Sequence, residues 1–274
     1  MPLRAAKDVP TIVVPFGDGD ASPASRAVPV ETPVNLIYAG LPFAVMMATP
    51  SDLEDFAYGF SLTEGIIEQA ADIRAVRVAE VEKGLHLDID LVSERLQMHL
   101  SRRRALAGRT GCGLCGIDDL EALPKARAPS HAAPAIAAAA IARALDALER
   151  AQPLNRETRA VHAAAWADLE GNLLAVREDV GRHNALDKLI GALLRDGTSP
   201  AQGFVIVTSR CSFELVEKVA AFGARTLVAI SAPTSLALDR ARDHDMTLIG
   251  IARRDTMTVF HGRERIRTES AAKV

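Results

Sequence analysis

A chain of 274 residues that is 49% hydrophobic can bury one large core or two smaller ones, which excludes a largely disordered protein. Its formal net charge of -3 excludes nucleic-acid binding driven by bulk positive charge, so arginine clusters are read as local anion sites or solvated faces. No apolar run approaches the ~20 residues of a membrane span; the longest, Ala132 to Ala142, is mostly alanine and reads as a closely packed helix.

In chain order, residues 1 to about 30 mix Pro, Gly, Asp, Ser and Ala, and predict an edge strand at Thr11 to Phe16 followed by a flexible connector. Residues 31–107 predict a small α+β domain. Val34 to Tyr38 and Phe43 to Ala48 form a strand pair turned at Gly40-Leu41-Pro42, and Ser51-Asp52-Leu53-Glu54 is a capping box opening a helix through about Ile67. Gly59 and Gly65 mark that helix for close packing or a break near Glu64. Ile73 to Val81 and Leu85 to Leu91 form a second hairpin, and Ser93 to Leu106 is a basic helix that leads into residues 108–133.

That segment opens with Gly108-Arg109-Thr110-Gly111-Cys112-Gly113-Leu114-Cys115-Gly116. Four glycines support neither helix nor strand and leave the sulfurs little steric cover. Arg102, Arg103, Arg104 and Arg109 favour thiolate, which brings the ordinary thiol value of about 8.5 toward neutrality. Three readings compete: a reactive sulfur loop, half of a zinc site, and a structural disulfide. Zinc needs two more ligands, and the chain has no second Cys-x-x-Cys and no His-x-x-x-His, so no structural zinc is expected. No secretory signal precedes the loop, and the expected compartment is a reducing cytoplasm.

A short helix at Asp118 to Leu123 and a linker at Pro124 to Ala133 precede an α/β domain over residues 134–274. It opens with an alanine-rich helix, Pro134 to Ala151, with Pro134 in the first turn. Strands at Ala163–Ala167, Leu173–Arg177, Phe204–Thr208, Thr226–Ile230, Thr247–Ala252 and Thr258–His261 alternate with helices at about Gly181–Arg195, Ser212–Phe222 and Thr234–His244. The pattern predicts a mostly parallel sheet covered on both faces, with ligands outside the carboxyl ends of its strands. The loops there run Arg177 to Asn184, Thr208 to Ser212, and Ser231 to Ser235, joined by Ile251 to Thr256. Helix starts, hydroxyls and arginines on one edge suit an anion such as a phosphorylated ligand, although Ser212, Thr234 and Asp179 also read as ordinary caps. Cys211 reads as packing more readily than as a reactive thiol.

Several blocks carry a resemblance: Met46-Met47-Ala48 with Asp52-Leu53-Glu54, Gly59 to Ile67, Arg102 to Gly116, His162 to Trp166, Glu178 to Lys188, and Ser231 to Ala237. On these blocks the chain resembles the FdhD family, the formate dehydrogenase accessory sulfurtransferases, from about Val34 to His261. The resemblance implies a cytoplasmic homodimer that accepts sulfur from a cysteine desulfurase. It then passes that sulfur to the molybdenum or tungsten bis(pterin guanine dinucleotide) cofactor of the formate dehydrogenase catalytic subunit. It implies catalytic roles for Cys112, as persulfide carrier, and for its neighbour Cys115. It assigns cofactor binding to Ile251, Ala252, Arg253, Arg254, Asp255 and Thr256; in the family a glycine and a following basic residue are common near the last two. The edge reading adds Arg182, His183, Ser209, Arg210 and Ser231. The resemblance also implies a cytidine-deaminase-like, three-layer C-terminal domain. Deaminase chemistry is disfavoured, because Arg182-His183-Asn184 and Ser209-Arg210-Cys211-Ser212 lack the His-x-Glu and Pro-Cys-x-x-Cys of a zinc deaminase. A noncatalytic cofactor-binding chaperone is the alternative, and a thioredoxin-like reductase is disfavoured because no clear long helix follows the cysteines.

Overall fold

The structure, a computed structural model, describes residues 3–97, 126, 131–253 and 255–268. Cys112, Cys115, Arg254, the helix expected at Asp118 to Leu123 and most of the linker lie outside the described residues.

Alternation builds the N-terminal sheet. Along β6 (Gly84–Leu91) Leu85, Leu87, Ile89 and Leu91 are buried, as a strand with one face on a core requires. It lies between β3 (Thr32–Tyr38), to which it is parallel, and β5 (Ile73–Val81), to which it is antiparallel, while β4 (Leu41–Ala48) pairs with β3 on the other side. Ahead of them β1 (Ala6–Val13) and β2 (Ser22–Pro29) form a separate antiparallel hairpin. The flexible connector expected there is thus a paired strand: backbone pairing with β1 organises a stretch whose Ser, Pro and Ala side chains carry no strand pattern of their own.

Helix α1 (Leu53–Thr63) joins this sheet to the rest of the protein. The expected capping box does not form: Asp52 is the N-cap, lies in the left-handed region at φ 50°, and makes no side-chain cap bond. The helix stops at Thr63 rather than Ile67 because Gly65 turns left-handed at φ 67° and the Ile66 N-H closes back on the Ser61 carbonyl. Its other glycine has a packing role. A Cβ on Gly59 would lie 1.7 Å from the Asp187 carbonyl oxygen, and one on Gly191 would lie 1.8 Å from that of Asp55. Helix α1 and the later helix α4 (Arg182–Arg195) therefore touch backbone to backbone.

In the C-terminal half the sheet order is β13-β12-β11-β10-β8-β9. Its strands are β8 (His162–Asp168), β9 (Leu173–Asp179), β10 (Gly203–Val207), β11 (Thr226–Ala229), β12 (Thr247–Gly250) and β13 (Thr258–His261). Only β10-β11 and β11-β12 are parallel. The other three pairings are antiparallel, which corrects the mostly parallel expectation: β8 and β9 form a hairpin, and β13 turns back on β12. Period-two alternation divides β8 between two cores. Ala164 and Trp166 face α4, α5 (Phe213–Phe222) and α6 (Ser235–Asp243), whereas Ala163, Ala165 and Ala167 share a core with α2 (Ala138–Arg150). Helix α2 starts at Ala138, not Pro134, because Ile136–Ala137 (β7) pairs in parallel with Ile266–Arg267 (β14). A short helix α3 (Pro153–Thr158) was not foreseen. The larger core continues from β8 through α4 and α1 into the N-terminal sheet. Among the described residues no helix is long and apolar enough to cross a membrane.

Candidate functional site

The carboxyl ends of β10, β11 and β12 are laced together by their loops. Cys211 donates its N-H to the Ala232 carbonyl at 3.2 Å and accepts that of Thr234 at 2.9 Å. Ile251 donates to the Ser231 carbonyl, and Ala252 to that of Ala229. On the β10 side, Thr208 Oγ1 accepts the Ala163 N-H at 2.9 Å. The start of α4 arrives beside the start of α5, where His183 Nε2 lies 3.9 Å from Glu214 Oε2. The four loops singled out in the sequence therefore meet on one edge.

Within that edge the residues differ in what they offer. Arg210, Arg253, Asp255 and Thr256 are exposed, and Arg253 N-H to Thr256 O closes a tight turn at 2.8 Å. Ile251 is exposed in the left-handed region at φ 51°, and Ala252 is buried. Ser209 is buried and its hydroxyl donates to the Arg210 carbonyl at 2.9 Å, so it shapes the loop rather than facing solvent. Ser231 is half-buried. Thr234 is a true cap, accepting from the Ala237 N-H at 3.3 Å. Ser212 occupies the N-cap of α5 without making that bond. Cys211 is fully buried with its thiol pushed up to about 12 by burial, so it packs and is not a nucleophile.

Three buried polar atoms here have no hydrogen-bond partner among the described residues: Arg182 Nε, His183 Nε2 and Ser212 Oγ. Such atoms are costly unless something completes them. Burial, followed by the positive charges of Arg182 and Lys218, pushes His183 down to about 4. Burial and then Arg182 also lower His162. Both imidazoles are therefore neutral near neutrality and sit in a positive field. Beneath them Lys218 Nζ donates to Thr63 Oγ1 at 2.8 Å and to both Asp187 oxygens at 2.9 Å, tying α5, α4 and α1 together. Sequence reasoning missed His162, Glu214 and this triad. Thr63, Asp187 and His162 fall in the Gly59 to Ile67, Glu178 to Lys188 and His162 to Trp166 blocks, whereas Glu214 and Lys218 fall in none of the blocks.

The depressed His183 has a consequence for stability. Its folded value lies below the unfolded value of 6.5, so the unfolded chain binds the proton more readily and stability falls as pH drops from about 6.5 toward 4. Thermal melts at pH 7.5 and pH 5 are expected to show a loss that His183→Asn reduces. An equal loss in both proteins would mean that His183 is not held neutral.

The segment bearing Cys112 and Cys115 is fixed at both flanks. On the departing side Arg95 bridges Glu68 at 2.6 Å and Asp72 at 3.1 Å, just beyond α1. On the returning side the Ala126 N-H reaches Glu217 Oε2 on α5 at 2.5 Å. Glu217 is one helical turn from Glu214. Among the described residues no group of three or more His, Cys, Asp or Glu side chains is placed to hold a metal ion.

Fold and edge together define an α/β protein whose carboxyl-end loops make a polar, cation-rich edge on a mixed sheet. Residues 29–267 match the FdhD/NarQ family, and the chain belongs to that family. The sulfur carrier protein FdhD of Xanthomonas euvesicatoria pv. vesicatoria is 49% identical over 248 residues, which are 90% of this chain and 88% of that protein. The sulfur carrier protein FdhD of Bordetella petrii is 45% identical over 261 residues, covering 95% and 94% respectively. A solved structure from Desulfotalea psychrophila, described as a candidate formate dehydrogenase accessory protein, has a TM-score of 0.73 at 24% identity. The match covers 96% of this chain and 100% of that one, and shows that the two share a fold.

Proposed function

We propose that this protein is a sulfur carrier that serves formate dehydrogenase from the cytoplasm, as a homodimer, taking sulfur from a cysteine desulfurase. In the loading step the Cys112 thiolate attacks the outer sulfur of the donor's persulfide. A new sulfur-sulfur bond forms on Cys112, the donor's bond breaks, and the donor cysteine leaves as thiolate without net oxidation. Cys115 is the neighbouring thiol of the same loop. The substrate that receives the sulfur is the molybdenum or tungsten bis(pterin guanine dinucleotide) cofactor of the enzyme's catalytic subunit. Family membership over residues 29–267, with relatives named sulfur carrier proteins, is the observation that carries this reading.

The edge fits such a substrate chemically. Arg182 Nε, His183 Nε2 and Ser212 Oγ, without partners among the described residues, offer hydrogen bonds, and the exposed Arg210 and Arg253 offer charge to phosphates. The order β9-β8-β10-β11-β12, with helices on both faces, supports a cytidine-deaminase-like reading of this layer. The starts of α4 and α5 lack the zinc-ligand residues of a deaminase, so deamination is not proposed.

Guanosine diphosphate, as one end of the cofactor, is expected to bind with an affinity that falls as salt rises. Arg253→Ala should weaken it by about 1–3 kcal/mol, the range for hydrogen bonds to a charged group, while persulfide loading of Cys112 stays unchanged. Calorimetry finding equal affinity in the two proteins would remove Arg253 from the site. A parallel loss of loading would mean that edge and loop do not act separately.

A further inference from the structure

The hairpin of β1 and β2 turns an apolar face away from the rest of the protein. Successive side chains of a strand point to opposite faces. Along β1 Val9 and Thr11 are half-buried, whereas Pro10 and Ile12 are exposed, Ile12 at 69%. Pro23, the partner of Ile12 across the hairpin, is exposed as well. Val14 and Phe16 keep the same two-residue spacing into the loop beyond β1, at 67% and 112% exposure. Single exposed apolar residues are ordinary on a protein surface, but a contiguous row ending in an aromatic ring marks a contact. Support from the same chain stops short of this row. The base of the hairpin is held by the Val30 N-H on the Ala5 carbonyl, and α3 packs on β2. Burial along β2 accordingly gathers at Ala27, Val28 and Pro29, while Ser22 and Pro23 are exposed. Among the described residues β1 and β2 pair only with each other, and a lone two-stranded hairpin is marginally stable in water.

Area decides which partner covers it. The row presents on the order of 500 Å², about 200 Å² of it from Phe16. A partner that covers it once loses a similar area, so a single contact buries about 1,000 Å² in all, less than the ~1,200–2,000 Å² of stable association. Two copies related by a twofold axis make the contact twice, each hairpin lying on the other copy, and reach about 2,000 Å². We propose that the hairpin is an arm that embraces a second copy of this chain, with Ile12, Val14 and Phe16 as its anchors. This rests on the homodimer of the reading above and not on its sulfur chemistry.

Sedimentation equilibrium on the full chain tests the arm. The parent protein is expected at twice the chain mass at micromolar concentration. Ile12→Asp combined with Phe16→Asp should raise the dimer dissociation constant by about 100-fold or more, because each places a charge where an anchor is desolvated. Phe16→Leu, which keeps an apolar anchor, should stay dimeric. So should Arg26→Asp, since Arg26 pairs with Val9 and lies on the opposite face of the hairpin from Ile12. If the double Asp variant misfolds, a chain with p-benzoylphenylalanine in place of Phe16 still decides: irradiation is expected to join two copies. Crosslinks confined within one chain, or a double Asp variant that dimerises as tightly as the parent, overturn the arm and leave the carrier reading standing. A monomeric parent overturns the arm together with the homodimer, and leaves the sulfur-transfer step of the reading untouched.

Discussion

Replacement of Cys112 by alanine is expected to reduce activation of formate dehydrogenase to the level seen without the protein. On the proposed reading the transferred sulfur is held as a covalent persulfide on Cys112, with Cys115 as its neighbour rather than its carrier. Cys211 cannot take over, because it is fully buried with its thiol pushed up to about 12. The fold should be unaffected, since a glycine-rich stretch contributes little to a core; the melting temperature of Cys112→Ala should match that of the parent. Cys115→Ala is expected to be milder. Full activation of the enzyme by Cys112→Ala, assayed in cells lacking the parent protein, would remove that cysteine from the mechanism.

The second large effect concerns stability. Lys188 Nζ and Asp179 Oδ2 are 2.7 Å apart with both side chains fully buried. The pair binds the N-terminal half on both sides: Lys188 donates to the Thr49 carbonyl at 2.8 Å, and Asp179 Oδ2 accepts the Thr49 N-H at 2.9 Å. Asp179 Oδ1 also accepts from Gly181 N-H and from Asn184 Nδ2, which donates in turn to the Met47 carbonyl. Lys188→Met leaves a buried carboxylate without its counter-charge, which costs about 3–5 kcal/mol. In a chain of this size that lowers the melting temperature by roughly ten degrees. Adding Asp179→Leu should recover part of the loss, because removing both charges is cheaper than stranding one. Denaturation curves showing a change under about 1 kcal/mol for Lys188→Met would mean that the pair does not hold the two halves together. Because Asn184 follows His183 directly, loss of the pair is expected to disturb the candidate edge as well.

Local pattern made much of the fold legible. The alternation of Leu85, Leu87, Ile89 and Leu91 placed β6, and the short apolar runs at Phe204 and Thr226 placed β10 and β11. Features decided by distant partners were not legible. Ile136 leaves the alanine-rich helix to pair with Ile266, and Ser22–Pro29 becomes a strand only by pairing with β1. Ser51 to Glu54 has the composition of a capping box, yet Asp52 turns left-handed and lies 3.6 Å from Arg177 instead. In the site, helix starts and arginines were visible as types. The Lys218 contact with Thr63 spans 155 residues of sequence, and nothing local signals it. The same holds for His183 beside Glu214, which only the packing of α4 against α5 brings about.

The most direct measurement locates the sulfur. The purified chain, incubated with a cysteine desulfurase and cysteine, is digested without reductant, and fragment ions assign added mass within the peptide that contains Cys112 and Cys115. A gain of about 32 Da on Cys112, removed by dithiothreitol and absent when the desulfurase is omitted, is the expected result. An unmodified Cys112 in the presence of active, persulfide-loaded desulfurase would contradict the assignment of this protein as a sulfur carrier.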